Sequence, residues 1–575
     1  MGAFFLVRGR DREATVTRMA GAMARCGGEA PRRVETPHFT LCLYPKLAVA
    51  NETVLARADG AFAFAVGTFF YDGRVGNEAL AALIESFTPP EPDWSRTMGS
   101  FCAGVYRDGR LHLFLDRLGV YKVYHDAARR VFASRFLAVL ATVEAPHIRP
   151  QCVYEYVFQG ASYGGETVIE EVGVLDGEAT LAIGETVEAQ PHRHRFDLAI
   201  DEAPLESHVA RIRGVLDAAY DRISARFAGA VDTALSGGYD SRLTLALLRA
   251  RGITPRVHVY GSAESADVQV AKAIAEGEGI ALEHVDKSAV PTPPPEAMPE
   301  IVARNHAMFD GCPADGIVDN GRDIATRRER CANGELMLNG GGGEVFRNFF
   351  YLPDRRYSVG RFLWSFYARF DPRTTTARFD ETAYFAALAE KVVRTVGRRT
   401  GVLDRSEVEY LYPAFRCRYW MGVNNSVNNR LGWALTPFID HAVVQAALTV
   451  PLRHKDHGIL EARLIGAIDP RLAAYPSAYG HDFAHAPPLA RRLSDWATLM
   501  RPPRLRRYAY RLKARRRAAP LPTILSPPWL AAVIDIDFPW MSAYVRVGAV
   551  HDAGQRARIT TLEYLFERCS PRPPG

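Results

Sequence analysis

Residues 231–243, VDTALSGGYDSRL, combine an apolar run, two glycines and an acid in a pattern that could do chemistry. The apolar run predicts a short buried strand, and the residues after it predict a helix that begins near Asp240. Gly237 and Gly238 allow the backbone to approach a ligand without a Cβ, and free N–H groups at a helix start favour an anion. Because Asp240 would repel a phosphate unless Mg²⁺ lay between them, the stretch predicts a nucleotide with its metal.

Other residues of the same turn complete this predicted site. Ser236 and Ser241 can donate hydroxyl hydrogen bonds to phosphate oxygens, and Leu235 ends the strand that carries the turn. The Gly-Lys-Ser/Thr ending of a Walker A loop is missing, so the stretch is not that phosphate loop. A simpler interpretation of these residues is a glycine turn with a serine–aspartate cap.

A second glycine-rich turn follows an apolar run in residues 335–351, ELMLNGGGGEVFRNFFY. Gly341, Gly342 and Gly343 are candidate phosphate contacts, and Glu344 comes directly after them. We expect Glu344 to supply a second metal ligand at the same edge of a sheet. The alternative interpretation is a flexible loop.

The surrounding patterns predict two domains that together are of the α/β and α+β classes. Residues 1–199 contain short runs rich in Phe, Tyr and Val, broken by Gly and Asp turns, and predict mostly β structure. Within residues 200–575, strands alternate with helices at first, which predicts a parallel sheet, and most segments from about residue 295 look helical.

Composition excludes several classes of protein. The 575 residues are too many for one ordinary domain, and the formal net charge of +6 does not by itself indicate nucleic-acid binding. No apolar stretch reaches the roughly 18 residues that span a membrane. The N-terminal run does not fit a secretory signal, and eight cysteines without a CxxC pair predict a reducing cytoplasm. A basic tract, residues 501–517, predicts a solvated helix face or a grip for an acidic partner.

With both glycine turns in view, most of the chain resembles the asparagine synthetase family. That family joins an N-terminal glutaminase domain to a C-terminal ATP-pyrophosphatase domain, and its Ser-Gly-Gly-x-Asp-Ser signature is matched at 236–241. Segments 114–125, 131–140 and 435–451 resemble further family elements in the family's order, the last with Asp440 at the family's acid. The resemblance implies an Ntn-hydrolase-like αββα sandwich over 1–199. It implies a PP-loop, HUP-like pyrophosphatase with a helical C-terminal part over 200–575.

The family's chemistry implies roles for the residues that match it. ATP would adenylate a carboxylate, releasing pyrophosphate, and a nitrogen nucleophile would then form an amide and release AMP. Asp240 and Glu344 would hold Mg²⁺, and Gly261 would lie near the adenine. The phosphates would contact the residues of the two turns, which are Leu235, Ser236, Gly237, Gly238, Ser241 and Gly341, Gly342 and Gly343. Such catalysis depends on positioning and charge neutralisation.

The chain also departs from the family in both halves. Glutamine-dependent members begin Met-Cys, whereas this chain begins Met-Gly, and the Asn-Gly-Glu element has become GTFFYDG at 67–73. Both departures predict a glutaminase-like domain without activity. The second-step Lys of relatives has no clear equivalent, because Lys455 comes early and Arg463 lies nearer the expected place. Arg463 is therefore the candidate, and it could steady an anion but could not act as a base.

Some assignments stay open at the level of sequence. An acid–base pair like the Tyr–Glu dyad of β-lactam synthetases could involve Tyr351, Glu407, Glu409 or Tyr410, although core or surface positions are the simpler interpretation. The Asn-rich segment 418–433 could line an acceptor pocket or form a helix end and turn.

The departures favour a carbon–nitrogen ligase that uses an amine of its substrate. β-Lactam synthetases close a ring in this way, and lasso peptide cyclases join a peptide's N-terminal amine to an Asp or Glu side chain. We favour a peptide cyclase, whose partners would be a precursor peptide and its processing protease. The alternatives are an ammonia-dependent asparagine synthetase, a non-catalytic scaffold, and a tRNA-modifying enzyme that would use the tract at 501–517.

Overall fold

The computed structural model describes residues 1–27, 30–49, 53–287, 289–398, 401–516 and 520–572, and their side chains except those of 513–516. Its strands are β1 (Ala3–Arg8), β2 (Arg32–Glu35), β3 (Phe39–Tyr44), β4 (Val54–Ala56), β5 (Phe62–Tyr71), β6 (Thr97–Arg107), β7 (Arg110–Leu115), β8 (Tyr124–Asp126), β9 (Val131–Ala133), β10 (Val172–Val174), β11 (Ala179–Ile183), β12 (Val187–Pro191), β13 (Val231–Ala234), β14 (Arg256–Tyr260), β15 (Leu282–Val285), β16 (Leu336–Leu338), β17 (Tyr357–Ser358), β18 (Val402–Leu403) and β19 (Trp433–Leu435).

The helices before residue 400 are α1 (Glu13–Ala24), α2 (Gly76–Ser86), α3 (Phe136–Leu140), α4 (Pro150–Gln159), α5 (Leu205–Phe227), α6 (Tyr239–Arg249), α7 (Ala266–Glu278), α8 (Met298–Met308), α9 (Arg322–Cys331), α10 (Val359–Phe366) and α11 (Glu381–Val396). The later helices are α12 (Arg405–Leu411), α13 (Arg418–Trp420), α14 (Gly422–Leu431), α15 (His441–Leu448), α16 (Leu452–Lys455), α17 (Ile459–Ile468), α18 (Pro470–Ala474), α19 (Leu489–Met500), α20 (Pro503–Arg516), α21 (Pro527–Leu530) and α22 (Ala553–Cys569).

Two antiparallel sheets form the first part of the chain, with strand orders β10-β8-β9-β1-β3-β2 and β12-β11-β7-β6-β5-β4. Side chains that alternate along each strand point to opposite faces. Phe4 and Leu6 of β1 therefore share one buried cluster with Phe62 and Phe64 of β5, which is the core between the sheets.

Helices cover the outer faces of both sheets. Phe5 of β1 packs in the same cluster as Met19 of α1, and Ala65 of β5 packs with Leu80 of α2. The result is a layered αββα arrangement, which is what the family resemblance implied for this part of the chain.

A five-stranded parallel sheet forms the second part, in the order β15-β14-β13-β16-β19. In the register, Asp232 of β13 lies beside Arg256 of β14 and beside Met337 of β16. The mixed α/β architecture with antiparallel and parallel sheets was predicted correctly. Along the chain, strands are added to one side of β13 as far as β15 and then to its other side, so the strand order reverses between β13 and β16. In open α/β sheets, ligands bind in the crevice at such a point.

The two parts are held together at the Asn-rich segment. Thr68 Oγ1 of β5 donates to Asn429 Oδ1 of α14 at 2.7 Å, and Lys46 Nζ donates to the carbonyl oxygens of Asn429 and Gly432 at 2.7 and 2.9 Å. Asn429 is 1 % exposed, so its side chain serves the contact between the two parts. Tyr419, Trp420 and Val423 of the same segment line a small cavity. The predicted domain boundary at 199/200 lies between β12 and α5 and stays a prediction.

Predictions from the sequence also concerned the cysteines and possible membrane spans. All eight cysteines are free thiols. Within the described residues, no helix is both long enough and apolar enough to span a bilayer.

Candidate functional site

The first glycine turn lies between the end of β13 and the start of α6, as predicted. Its shape is fixed by its own serines, because Ser241 Oγ accepts from the Ser236 backbone N–H and lies 3.0 Å from Ser236 Oγ. The N–H of Gly238 donates to Ser236 Oγ at 3.3 Å, and that of Gly237 donates to Asp267 Oδ1 at 2.9 Å. The serine–aspartate cap of the simpler interpretation is not formed, because Gly238 is the N-cap of α6 and no side chain caps that helix. Any phosphate would have to compete with the contacts within the turn.

The second glycine turn follows β16 and packs directly on the first. A Cβ on Gly343 would lie 2.6 Å from Asp240 Cγ, and one on Gly340 would lie 3.1 Å from the Asp240 carbonyl oxygen. Gly342 has a φ of +91°, and a Cβ there would lie 2.4 Å from Ile439 Cγ2. The glycines are therefore needed for the close approach of the two turns.

Three carboxylates surround one guanidinium where the turns meet. Arg347 Nη2 lies 2.6 Å from Asp240 Oδ1 and 3.6 Å from Glu344 Oε1, and Arg347 Nε lies 3.1 Å from Glu461 Oε2. Glu461 is fully buried, whereas the Asp240 and Glu344 side chains are 19 % and 33 % exposed. Tyr412 Oη donates to Glu344 Oε2 at 2.5 Å, so Glu344 is also held from the side of the π-helical turn Tyr412–Cys417.

The charges of this cluster do not balance, because one cation faces three acids. Burial raises the pKa of Asp240, and the neighbouring Glu344 raises it further, although Arg347 opposes the shift. Burial also raises the pKa of Glu461 well above its usual range, with Asp240 adding to the effect. Burial disfavours the charged form of Arg347, yet Asp240, Glu461 and Glu344 together raise its pKa. A further cation would stabilise the ionised carboxylates.

The residues fit Mg²⁺ only if the ion is shared with other oxygen ligands. Among the described residues, no group of three or more His, Cys, Asp or Glu side chains could hold a metal ion. Mg²⁺ in nucleotide sites is commonly bound by one or two carboxylates together with phosphates and water. Asp240 and Glu344, with the buried oxygens of Glu461 behind them, suit that arrangement.

A cavity of about 210 Å³ opens beside the cluster. Glu344 and Arg347 form one side of it, and aromatic side chains that include Tyr239, Tyr479 and Trp496 form much of the rest. Carboxylates, cations and aromatic rings thus converge on one concave site, which is the usual arrangement of a binding pocket.

Lys455 also lines this cavity, although the sequence spacing placed it too early. It is 1 % exposed, and its Nζ lies 3.0 Å from Glu409 Oε2. Burial lowers the pKa of Lys455, and the charge of Glu409 partly offsets that effect. Of the two candidates, Lys455 lines the cavity and Arg463 does not.

Arg463 does not reach the site, which corrects its choice as a candidate. Its side chain is 57 % exposed and pairs with Glu206, itself 63 % exposed. Helix α17 turns Leu460, Glu461 and Leu464 inward, so the intervening Arg463 points to solvent.

The other candidate residues divide into those near the turns and those elsewhere. Leu235 is buried and bonds through its N–H to the His258 carbonyl oxygen, and Gly261 follows β14 at the same edge of the sheet. Asp440 instead caps α15 by accepting from the Ala442 N–H at 3.1 Å, and it also accepts from the Gly99 N–H.

The proposed members of a Tyr–Glu dyad do not form one. Glu407 accepts from the Asp404 N–H in the capping box of α12, and Glu409 is held by Arg405 and Lys455. Tyr410 packs against Phe196. The remaining member, Tyr351, does line the cavity and is 37 % exposed.

Sequence reasoning missed Arg347, Glu461 and Tyr412. Arg347 follows Glu344 by three positions in the segment GEVFR, a spacing that brings side chains together in a helical turn. Glu461 and Tyr412 come from distant segments, and the sequence offers no local signal for either.

No family model matches the chain, and no curated protein is similar to it. One similar solved structure is an allosteric regulatory enzyme of purine biosynthesis, at 11 % identity and a TM-score of 0.24, covering 51 % of this chain and 82 % of that one. Another is glutamine phosphoribosylpyrophosphate amidotransferase from B. subtilis, complexed with ADP and GMP, at 11 % identity and a TM-score of 0.23, covering 59 % and 81 %. At these scores neither likeness carries a functional argument.

Proposed function

We propose that the protein is an ATP-dependent, AMP-forming ligase that joins a carboxylate to an amine. One observation carries the proposal: the two glycine turns follow neighbouring parallel strands on either side of the point where strand order reverses. Each turn is followed by an acid, and this crevice is where α/β sheets bind nucleotides. The family resemblance of the SGGYDS motif supports the same assignment.

In this proposal the chain contributes mainly position and charge. The turn at 236–238 and the glycines at 341–343 would lie against the phosphates, and Asp240 and Glu344 would hold Mg²⁺. The ion, when bound, supplies neutralisation of phosphate charge. Arg347 keeps Asp240 and Glu344 in place and adds positive charge beside the leaving pyrophosphate.

The reaction would proceed in two steps. A carboxylate oxygen of the substrate attacks the α-phosphorus of ATP, and the bond to pyrophosphate breaks. The amine nitrogen then attacks the acyl carbon, AMP leaves, and the nitrogen loses a proton to a base. Lys455 lies at the cavity wall, where its charge would stabilise the anion that forms in the second step.

The finer proposal is that the substrate is a peptide, so that the enzyme is a macrolactam-forming cyclase. The cavity adjoins α19, whose residues Leu489, Leu493, Trp496 and Met500 are between 55 % and 73 % exposed. Their spacing places them on one face of the helix, and Trp496 also lines the cavity. A peptide has apolar side chains to cover this face, whereas aspartate and ammonia do not.

The environment of Gly2 supports a nitrogen source other than glutamine. A Cβ at Gly2 would lie 2.9 Å from both the Arg430 carbonyl oxygen and Lys46 Cα. A nucleophilic side chain has no room at this position, because both neighbours are backbone atoms. An amine of the substrate itself is the source that fits a cyclase.

The test is product analysis with purified protein, ATP and Mg²⁺, supplied either with L-aspartate and ammonia or with peptides that carry an Asp or Glu side chain. We expect AMP and a product lighter by one water with a peptide, and neither product with the Asp240→Asn variant. ATP binding is measured in parallel by calorimetry. AMP and asparagine from the small substrates would make the protein an ammonia-dependent asparagine synthetase. Failure to bind ATP with Mg²⁺ would reject the ligase and leave a non-catalytic scaffold.

A further inference from the structure

A second cavity, of about 500 Å³, lies between the two parts of the molecule and shares no lining residue with the cavity beside the glycine turns. Helices α1, α3, α8 and α22 all contribute to it. Much of its wall is apolar, and includes Leu137, Leu140, Val143 and Leu565. Its volume lies in the range of sites that hold small organic molecules, roughly 300–1,000 Å³.

The charged groups of this cavity are all basic. Arg25, Arg135 and Arg568 line it together with His306, and no Asp or Glu is among its lining residues in the described part of the chain. Arg25 is exposed and Arg568 is 48 % exposed, so these two side chains lie where the cavity meets solvent. A wall with this composition attracts an anion that carries an apolar body.

Two of these arginines have acids close by that lie outside the cavity wall. Asp310 lies 3.6 Å from Arg135 Nε, but its carboxylate also accepts the backbone N–H groups of Phe136 and Leu137 at 2.6 and 3.1 Å. Glu567 lies 3.7 Å from Arg568 and accepts from the Asp535 N–H at 2.7 Å. Each acid also accepts backbone N–H groups, and neither is among the residues that line the cavity.

One polar group inside the cavity is unsatisfied. His306 is 8 % exposed, and its Nε2 has no hydrogen-bond partner among the described residues. Burial lowers the pKa of His306 to about 3, and the charges of Arg568, Arg135 and Arg25 contribute to the shift. In the tautomer whose proton is on Nε2, this neutral imidazole can donate to a ligand oxygen held beside the arginines.

We propose that this cavity binds an amphipathic small-molecule anion, with its carboxylate or phosphate group at Arg25, Arg568 and His306 and its apolar body against Leu140 and Leu565. The site is independent of the proposed ligase activity. Because it joins α1 and α3 of the first part to α8 and α22 of the second, an occupant stabilises the contact between the parts.

Octanoate, octyl phosphate, octylamine and inorganic phosphate are the probes, each titrated into the full-length protein by calorimetry. We expect octanoate or octyl phosphate to bind and raise the Tm, and octylamine not to bind. A comparison of their binding affinities shows whether the cavity prefers a carboxylate or a phosphate group. Inorganic phosphate should bind more weakly than octyl phosphate, because it lacks the apolar body.

Two variants locate the binding. Arg25→Gln combined with Arg568→Gln removes two charges at the entrance and should weaken binding by about tenfold or more. Ala303→Trp, at an exposed position of α8 that lines the cavity, should block it. The matched control is Arg10→Gln combined with Arg18→Gln, which makes the same charge change at exposed positions outside the cavity.

Three outcomes would overturn the proposal. The first is the absence of binding by both amphipathic anions. The second is equal binding of octanoate and octylamine, which would indicate adsorption to an apolar surface such as that of α19. The third is anion binding that neither Ala303→Trp nor the arginine pair changes while the control behaves as wild type.

Discussion

Arg347 Nη2 lies 2.6 Å from Asp240 Oδ1, so a guanidinium occupies the position beside the acid that was expected to hold a metal. The same guanidinium contacts Glu344 and Glu461, which come from the second glycine turn and from α17. Arg347 therefore links three segments that are distant in sequence. Its charge also keeps three carboxylates together before any nucleotide arrives, which prepares the site for a second cation.

Replacing Arg347 by Met should destabilise the fold more than the loss of an ordinary ion pair. The variant leaves Asp240, Glu344 and Glu461 together without a cation, and breaking such a buried pair costs about 3–5 kcal/mol. Urea unfolding at neutral pH measures the change. Arg463→Met is the control, because its exposed pair with Glu206 contributes at most about 1 kcal/mol. Equal effects of the two substitutions would show that the cluster does not depend on Arg347.

Glu461 should make the stability of the protein depend on pH. The pKa of this fully buried carboxyl is raised in the folded state, so the folded protein binds a proton more tightly than the unfolded chain. Stability is therefore greatest below the pKa of the unfolded carboxyl and is lost as the pH rises through the raised pKa of the folded state. Glu461→Gln removes this contribution and should flatten the pH dependence of the free energy of unfolding.

The matched control for this test is Glu329→Gln, which makes the same charge change on an exposed face of α9. It should leave the slope of stability against pH as in the wild type. A Glu461→Gln variant with an unchanged slope would mean that Glu461 is ionised at neutral pH in the folded state. The cluster would then already hold its full negative charge.

Much of this site could be predicted from local sequence. The apolar run before SGG and the glycines before Glu344 each predict a strand and a turn, and parallel strands end at one edge of a sheet. The contact of the two turns at Asp240 follows from that rule. Arg347 could not be placed at its centre, because the contact with Glu461 depends on how α17 packs against the sheet.

The choice of Arg463 over Lys455 failed for a definable physical reason. The short turn Asp456–Gly458 separates α16 from α17, and both His457 and Gly458 have positive φ, at 57° and 73°. The turn therefore resets the helical phase between the two basic residues. Spacing counted through it cannot tell which of them faces the cavity.

Exchanging the basic residues tests this correction. Lys455→Gln should lower the rate of amide formation by roughly 10²-fold or more, because it removes a buried charge from the cavity wall. ATP binding should be unchanged, since Lys455 is not part of either glycine turn. Arg463→Gln should leave both quantities as in the wild type. The measurements are product formation with the active substrate and ATP binding by calorimetry.

A reversed pattern, with activity lost in Arg463→Gln and kept in Lys455→Gln, would contradict the structure's placement of both side chains. Lys455→Arg is informative as well. Activity retained by this variant would show that positive charge is sufficient, because Arg cannot act as a base.

Gly343→Ala should disturb the site through contact alone, without any change of charge. The added Cβ would lie 2.6 Å from Asp240 Cγ and within 3 Å of both carboxylate oxygens, so the Asp240 carboxylate must shift from its present position. Overpacking of this kind costs about 1–3 kcal/mol. We expect lower stability in urea unfolding together with weaker binding of ATP in the presence of Mg²⁺. Gly360→Ala is the control, because nothing lies within 4 Å of its Cβ in α10 and Ala favours a helix. Gly343→Ala with wild-type ATP binding would separate the position of Asp240 from nucleotide binding and remove the main physical support for the metal-bridged phosphate site.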